Sequence, residues 1–272
     1  MQVFAPADFS ANYAKAGAAK ATAPVGKLFL LAILAGLLIG FPAAVTNMAC
    51  FALENPSVIR VISGLLFAFG LGMVVMTGAE LLTGNTLIFM SVLDAKARLS
   101  GMLRNWAIVL VGNFVGTMLL AFVCARFGWL NAGQEKLAQY TMQVAQGKMT
   151  MPFANALMMG VLCNILVTVG VLLSLAGQDG VSRILGAWGP VMFFVVCGFN
   201  HSIADMMYCM LGLFAKPVYA DLAVDFPHLT WGRYLAGNLL PVTLGNLLGG
   251  CAVAALFYSC YLRKPKAKKA KM

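Results

Sequence analysis

The stretch Cys197-Gly198-Phe199-Asn200-His201-Ser202-Ile203-Ala204-Asp205-Met206 sets an imidazole and a carboxylate inside a run that is otherwise apolar enough for a bilayer. No water is available to either group at that depth. Burying them costs several kcal/mol unless they face a protein interior or a wet cavity, so they are functional candidates. A second interruption of the same kind, Gly78-Ala79-Glu80-Leu81-Leu82-Thr83-Gly84-Asn85, lies in the first half of the chain. A helix that restarts inside the membrane directs free backbone N–H groups and the positive end of its dipole at the break. Two such ends, near Asn85 and near Ser202, would attract a small anion. Between them His201 is expected to rest neutral and to take a proton when an anion arrives, which suits a donor to the anion of a weak acid.

The neighbouring polar residues have narrower readings. Asp205 is one helical turn beyond His201 and shares its face, so it either orients and charges the ring or sits in a subunit interface. Glu80 is expected to cap backbone N–H groups of the first break. Thr83 lies at the depth of His201, where its hydroxyl bonds an anion or the ring. Asn164 is the one amide in the core of its span, and it is read as a pore or ring partner ahead of plain helix glue.

These groups need a scaffold that spans a membrane. The chain is 61% hydrophobic and 10% charged over 272 residues, with a mean hydropathy of +0.86. Soluble domains are about 45–50% apolar and about 25% charged. One all-α membrane bundle follows, with six crossings at about Lys27–Met48, Val58–Leu93, Leu103–Ala125, Pro152–Leu175, Ile184–Phe214 and Tyr234–Tyr261. The second and fifth are too long for one straight span and are expected to break, at Thr77–Gly84 and at Gly198–His201. The connector from Arg126 to Thr150 is expected to hold a short interfacial helix.

The first 26 residues read as a polar, Ala-rich arm without a cleavable signal, and residues 263–272 as a basic tail that fixes topology and touches anionic lipid. Six crossings put both termini on one side. That side holds thirteen of the nineteen Lys and Arg residues, so both termini are expected in the cytoplasm. The net charge of +10 does not imply nucleic acid, because no soluble domain is present to bind it. The seven cysteines are scattered, with no metal-ligand spacing, and are read as packing residues. No metal, cofactor or catalytic nucleophile is indicated, so the chain is not expected to be an enzyme.

Asn105 and Asn113 in the third span, the latter in Gly112-Asn113-Phe114-Val115-Gly116, correspond to Asn238 and Asn246 in the sixth, the latter in Gly245-Asn246-Leu247-Leu248-Gly249. Each motif follows a broken helix. The implied architecture is a 3+3 inverted repeat, with halves near 27–125 and 152–262 and a path at their interface. The paired glycines are read as close-packing positions.

The break at 78–85, the His-Ser-Ile-Ala-Asp-Met run at 201–206, Leu-Cys-Asn at 162–164 and the paired Gly-Asn-x-x-Gly motifs together resemble the formate/nitrite transporter family over about Lys27 to Leu262. The resemblance implies an aquaporin-like protomer, with helices 2 and 5 broken, in a homopentamer with one pore per subunit. It implies permeation by formate, nitrite or hydrosulfide, with proton coupling, across a bacterial or archaeal inner membrane. By this likeness His201 is the central pore histidine, Thr83 the threonine of the mobile link and Asn164 the pore asparagine. Phe67, Val167 and Phe194 form an outer apolar constriction, Leu71, Leu81 and Leu82 an inner one, and Lys148 is the vestibule cation. Short monocarboxylates such as lactate or acetate are an alternative cargo. An aquaporin-like channel for neutral solutes fits less well, for want of paired Asn-Pro-Ala caps and a constriction arginine. Members of the family often carry Glu before the histidine and Asn four residues after it, where this chain has Asn200 and Asp205.

Overall fold

The computed structural model describes residues 3–263. The basic tail assigned to topology and lipid contact lies, from residue 264 onward, outside the described residues. Besides a single 3-10 turn at Trp129–Asn131, ten helices follow in order among the described residues: α1 (Pro6–Thr22), α2 (Val25–Cys50), α3 (Pro56–Thr77), α4 (Leu82–Leu93), α5 (Leu99–Arg126), α6 (Lys136–Met149), α7 (Phe153–Ala176), α8 (Gly180–Cys197), α9 (Ser202–Ala215) and α10 (Arg233–Leu262). Six of them, α2, α3, α5, α7, α8 and α10, are long and apolar enough to cross a membrane.

Local chemistry sets the helix ends. Pro56 starts α3, and the Asn55 side chain accepts from the Ser57 and Val58 N–H groups. Asp179 caps α8 by accepting from the Ser182 N–H at 2.9 Å. Both devices satisfy orphan donors of a first turn. Helices α3 and α8 each end on a glycine in the left-handed region, Gly78 at φ 68° and Gly198 at φ 74°. That conformation strains any residue with a Cβ, and it turns the chain out of the helix.

Both interruptions occur where the apolar runs are too long, but the first is shorter than expected. Helix α4 restarts at Leu82, because the Asn113 Oδ1 accepts the Leu82 N–H at 3.0 Å and fixes the first turn there. Thr83 therefore stands in a helical turn and not in the irregular link. The first 26 residues depart further from expectation. They contain helix α1, whose Phe9, Tyr13, Gly17 and Ala21 are buried on one face against the bundle.

The closest helix pairs are α2 with α5 and α7 with α10. A Cβ at Gly116 would run into the Ile33 carbonyl, and one at Gly112 into the Ala32 side chain. At the other pair, Gly245 and Gly249 face the Leu157 and Val161 carbonyls in the same way. Glycine lets these backbones approach where lipid offers no hydrophobic drive to association. Leu30, Phe41, Val111, Phe193 and Leu248 point outward, as lipid permits. Helix α9 is apolar on most sides and buried throughout its first two turns against α2, α5 and α6, which holds His201 at the centre.

Candidate functional site

His201 is the N-cap residue of α9, and its ring does the capping. The imidazole Nδ1 accepts the Ala204 backbone N–H at 3.1 Å. A nitrogen that accepts carries no proton, so the neutral ring holds its hydrogen on Nε2. That nitrogen lies 2.9 Å from Thr83 Oγ1, to which it donates. The ring also stacks on Phe194, with centroids 5.8 Å apart and planes 15° apart. Backbone, hydroxyl and aromatic face together leave the imidazole one orientation.

An amide clamp holds each link in place. Asn113 donates to the Ala32 and Glu80 carbonyls at 2.8 and 2.9 Å while accepting from the Leu82 N–H. Asn246 donates to the Gly160 and Asn200 carbonyls at 2.8 and 3.1 Å and accepts from the Ser202 N–H at 2.9 Å. The link N–H groups of Glu80 and Asn200 bond the Leu31 and Met159 carbonyls in turn. These backbone groups have no water to turn to, so each clamp replaces what a continuous helix would supply.

Three spaces adjoin through shared lining residues. One, of about 160 Å³, is lined by Thr46, Asn47, Ser63, Tyr140, Lys148, Tyr208, Phe67, Phe194 and His201. Another, of about 180 Å³, is lined by Tyr13, Lys20, Leu71, Leu81 and Asn85. Between them Ile39, Phe67, Leu71, Leu81, Val167, Val191, Phe194 and His201 enclose about 10 Å³. One water at most fits such a volume. The passage is closed by side chains that an ion cannot cross with its hydration shell. Phe67 and Phe194 meet edge to face, 6.0 Å between centroids. Of the six constriction candidates, Leu82 lines none of the three spaces; it is buried at the start of α4.

A lysine stands in each of the wider spaces. Lys148, on α6, donates to Asp205 Oδ1 at 2.5 Å and to Asn200 Oδ1 at 3.3 Å, with its ammonium 5.2 Å from the Tyr208 ring centroid. Lys20, on α1, donates to Glu80 Oε1 at 2.9 Å and Asn85 Oδ1 at 3.1 Å. Tyr13 fastens α1 to the first turn of α4 by donating to the Gly84 carbonyl at 3.0 Å. Burial, and then the charge of Glu80, hold the Tyr13 phenol well above its ordinary range, so it stays a donor.

The structure reassigns three of the expected partners. Glu80 caps no free N–H of the link, since Asn113 already holds Leu82; its carboxylate instead takes the Lys20 ammonium and the Asn85 amide, the latter at 2.6 Å. Asp205 neither orients the ring nor reaches the protomer surface. Its side chain is 1% exposed and is held by Lys148 and by Asn238 at 3.0 Å. Asn164 does not reach the ring. Its amide nitrogen serves the Thr83 carbonyl, Thr86 Oγ1 and the Asn246 carbonyl at 3.2, 3.2 and 2.6 Å, so it ties the two halves together behind Thr83.

The sequence reading missed Lys20 and Tyr13. Their signal was present: Pro6 at a first helical position, Asp8 in the first turn, and apolar residues at every fourth place from Phe9 to Ala21. Among the described residues no three His, Cys, Asp or Glu side chains gather as a metal site.

Comparison with known proteins fits this geometry. The formate/nitrite transporter family model matches residues 7–260. A probable formate transporter of Methanothermobacter thermautotrophicus is 32% identical over 95% of this chain and 97% of its own length. The formate channel FocA of Escherichia coli K12 is 30% identical over 95% of each. A solved structure described as a pentameric formate channel with formate bound superposes with a TM-score of 0.78 at 30% identity, covering 86% of this chain and 96% of that one. An FNT family ion channel superposes with a TM-score of 0.77 at 25% identity, covering 93% and 96%. Proteins of this kind move solutes and do not transform them, and with nearly its whole length matched, this chain belongs to the formate/nitrite transporter family.

Proposed function

We propose that the protein is a homopentameric channel or proton-coupled transporter for small monovalent weak-acid anions. Formate is the first candidate, nitrite and hydrosulfide follow, and lactate or acetate are the less favoured cargo. It works in the cytoplasmic membrane of a bacterium or archaeon with both termini inside, and its pore runs between two halves in a 3+3 inverted repeat. The observation that carries this reading is His201, buried in the lining of the narrowest space between two lysine-bearing ones, with its Nε2–H held by Thr83, which itself lines none of the three. The matched clamps of Asn113 and Asn246 support the repeat. The solved pentameric channel with formate bound, at 30% identity, supports the cargo and the assembly.

An anion drawn to either lysine meets Phe and Leu side chains that strip its water at a cost of many kcal/mol, whereas the neutral acid loses far less. Proton transfer at Nε2 removes that penalty. The ring yields this proton and remains neutral only when Nδ1 has taken up another, so the Ala204 cap opens in the same step.

Uptake of labelled formate, nitrite and hydrosulfide into proteoliposomes at acidic and neutral external pH, for wild type and His201→Phe, tests the reading. Faster uptake at acidic pH that collapses in the variant is expected. Wild-type rates in the variant would reduce His201 to a helix cap, and uptake of water or glycerol alone would overturn the choice of solute.

A further inference from the structure

The two lysine clusters differ by one exchange. Counted from the left-handed glycine of each link, Glu80 and Asn200 hold the same place, and so do Asn85 and Asp205. Carboxylate and amide have traded positions. Each lysine nevertheless contacts both groups. Asn105 donates to the Lys20 carbonyl and accepts from Asn85, while Asn238 donates to the Lys148 carbonyl and to Asp205 Oδ2. One ammonium, one carboxylate and one amide therefore make up each cluster, whichever of the two positions supplies the charge.

The ammonium stands in front in both. Lys20 and Lys148 keep 27% and 20% of their side chains exposed, against 10% for Glu80 and 1% for Asp205. A lone ammonium in a half-buried mouth would hold a small anion by an undiluted charge pair. Conduction needs a site that favours entry but releases quickly.

We propose that Asp205 at one mouth and Glu80 at the other act as internal competitors of the transported anion for the lysine, and that either of the two equivalent positions, in the link or in the helix after it, can carry the competitor. The carboxylate holds the ammonium in the absence of substrate. An arriving anion takes the lysine's one remaining N–H donor, and the carboxylate reclaims the lysine as that anion moves on. Each mouth thus attracts anions without trapping them. This inference rests on the anion-transport reading.

Concentration-dependent formate uptake by the full-length protein in proteoliposomes tests it. In Asp205→Asn the half-saturation concentration and the maximal rate both fall, the former by about tenfold, equivalent to ~1.4 kcal/mol of tighter anion binding. The double exchange Asn200→Glu with Asp205→Asn returns both values toward wild type. An Asp205→Asn protein whose maximal rate falls with half-saturation unchanged or raised would overturn the proposal, since a carboxylate that only supports the fold predicts that. So would a double exchange no better than the single variant. Size-exclusion profiles verify assembly, and if Asp205→Asn fails to assemble, Glu80→Gln is compared with Glu80→Asn joined to Asn85→Asp at the other mouth under the same criteria. A wild type that moves no formate, nitrite or hydrosulfide overturns the transport reading itself, before any variant is compared.

Discussion

The His201 ring and the Thr83 hydroxyl, 118 residues apart in sequence, meet at 2.9 Å and join the start of α9 to the first turn of α4. The contact is directional, since Nδ1 is spent on the Ala204 N–H. Thr83→Val leaves a buried Nε2–H without an acceptor, at a cost of about 1–3 kcal/mol. The expected result is a thermal midpoint lowered by several degrees in detergent and slowed anion uptake. Thr83→Ser keeps the oxygen and stays near wild type, and equal behaviour of the two variants would show that the hydroxyl is idle.

The amide clamps are the most demanding side chains in the fold. Asn113→Leu fills similar volume but strands the Leu82 N–H and removes a donor from the Ala32 and Glu80 carbonyls. Each buried group left open costs about 1–3 kcal/mol. Folded yield after detergent extraction should drop sharply for Asn113→Leu and Asn246→Leu alike, and an unchanged yield for either would mean that the links hold themselves.

Helix contact through glycine gives a steric test. Gly245→Ala drives a methyl into the Leu157 carbonyl, a backbone atom that cannot swing aside, whereas a methyl at Gly26 meets nothing within 4 Å. Overpacking of this kind costs about 1–3 kcal/mol. The midpoint of Gly245→Ala should fall, while Gly26→Ala should leave it unchanged or raise it slightly through better helix propensity.

Tyr13 links arm stability to alkaline pH. Burial, followed by the Glu80 carboxylate, raises its phenol above the ordinary value. A raised folded value means that the stabilisation is whole below the ordinary tyrosine range, about 10, and is lost as pH climbs from there toward the raised value. Proteolytic nicking of α1 should therefore begin only above that range in wild type. Tyr13→Phe lacks the Gly84 bond and should be nicked at neutral pH too, with a flat pH response.

Much of this architecture was written in residue types. The apolar runs gave six crossings, and Gly78 and Gly198 marked the breaks because only glycine accepts the left-handed turn without strain. The Asn113 and Asn246 spacing marked the residues that clamp those breaks. Partner choice was not legible. Whether Asp205 reaches the ring, a neighbour or a lysine depends on where α6 lays Lys148, which one-dimensional spacing does not carry. Glu80 was misassigned for the same reason, since its partner Lys20 arrives from α1, a helix hidden in a composition that looks like a plain polar arm.

The clamps also keep to their own halves. Ala32, Glu80, Leu82 and Asn113 all belong to the first half of the chain, and Gly160, Asn200, Ser202 and Asn246 all to the second. The first clamp therefore needs nothing beyond α5 to satisfy its link, and the second nothing from before α7. Each half thus closes its own polar wound, and the contact of His201 with Thr83 is of another kind, since it exists only where the two halves meet.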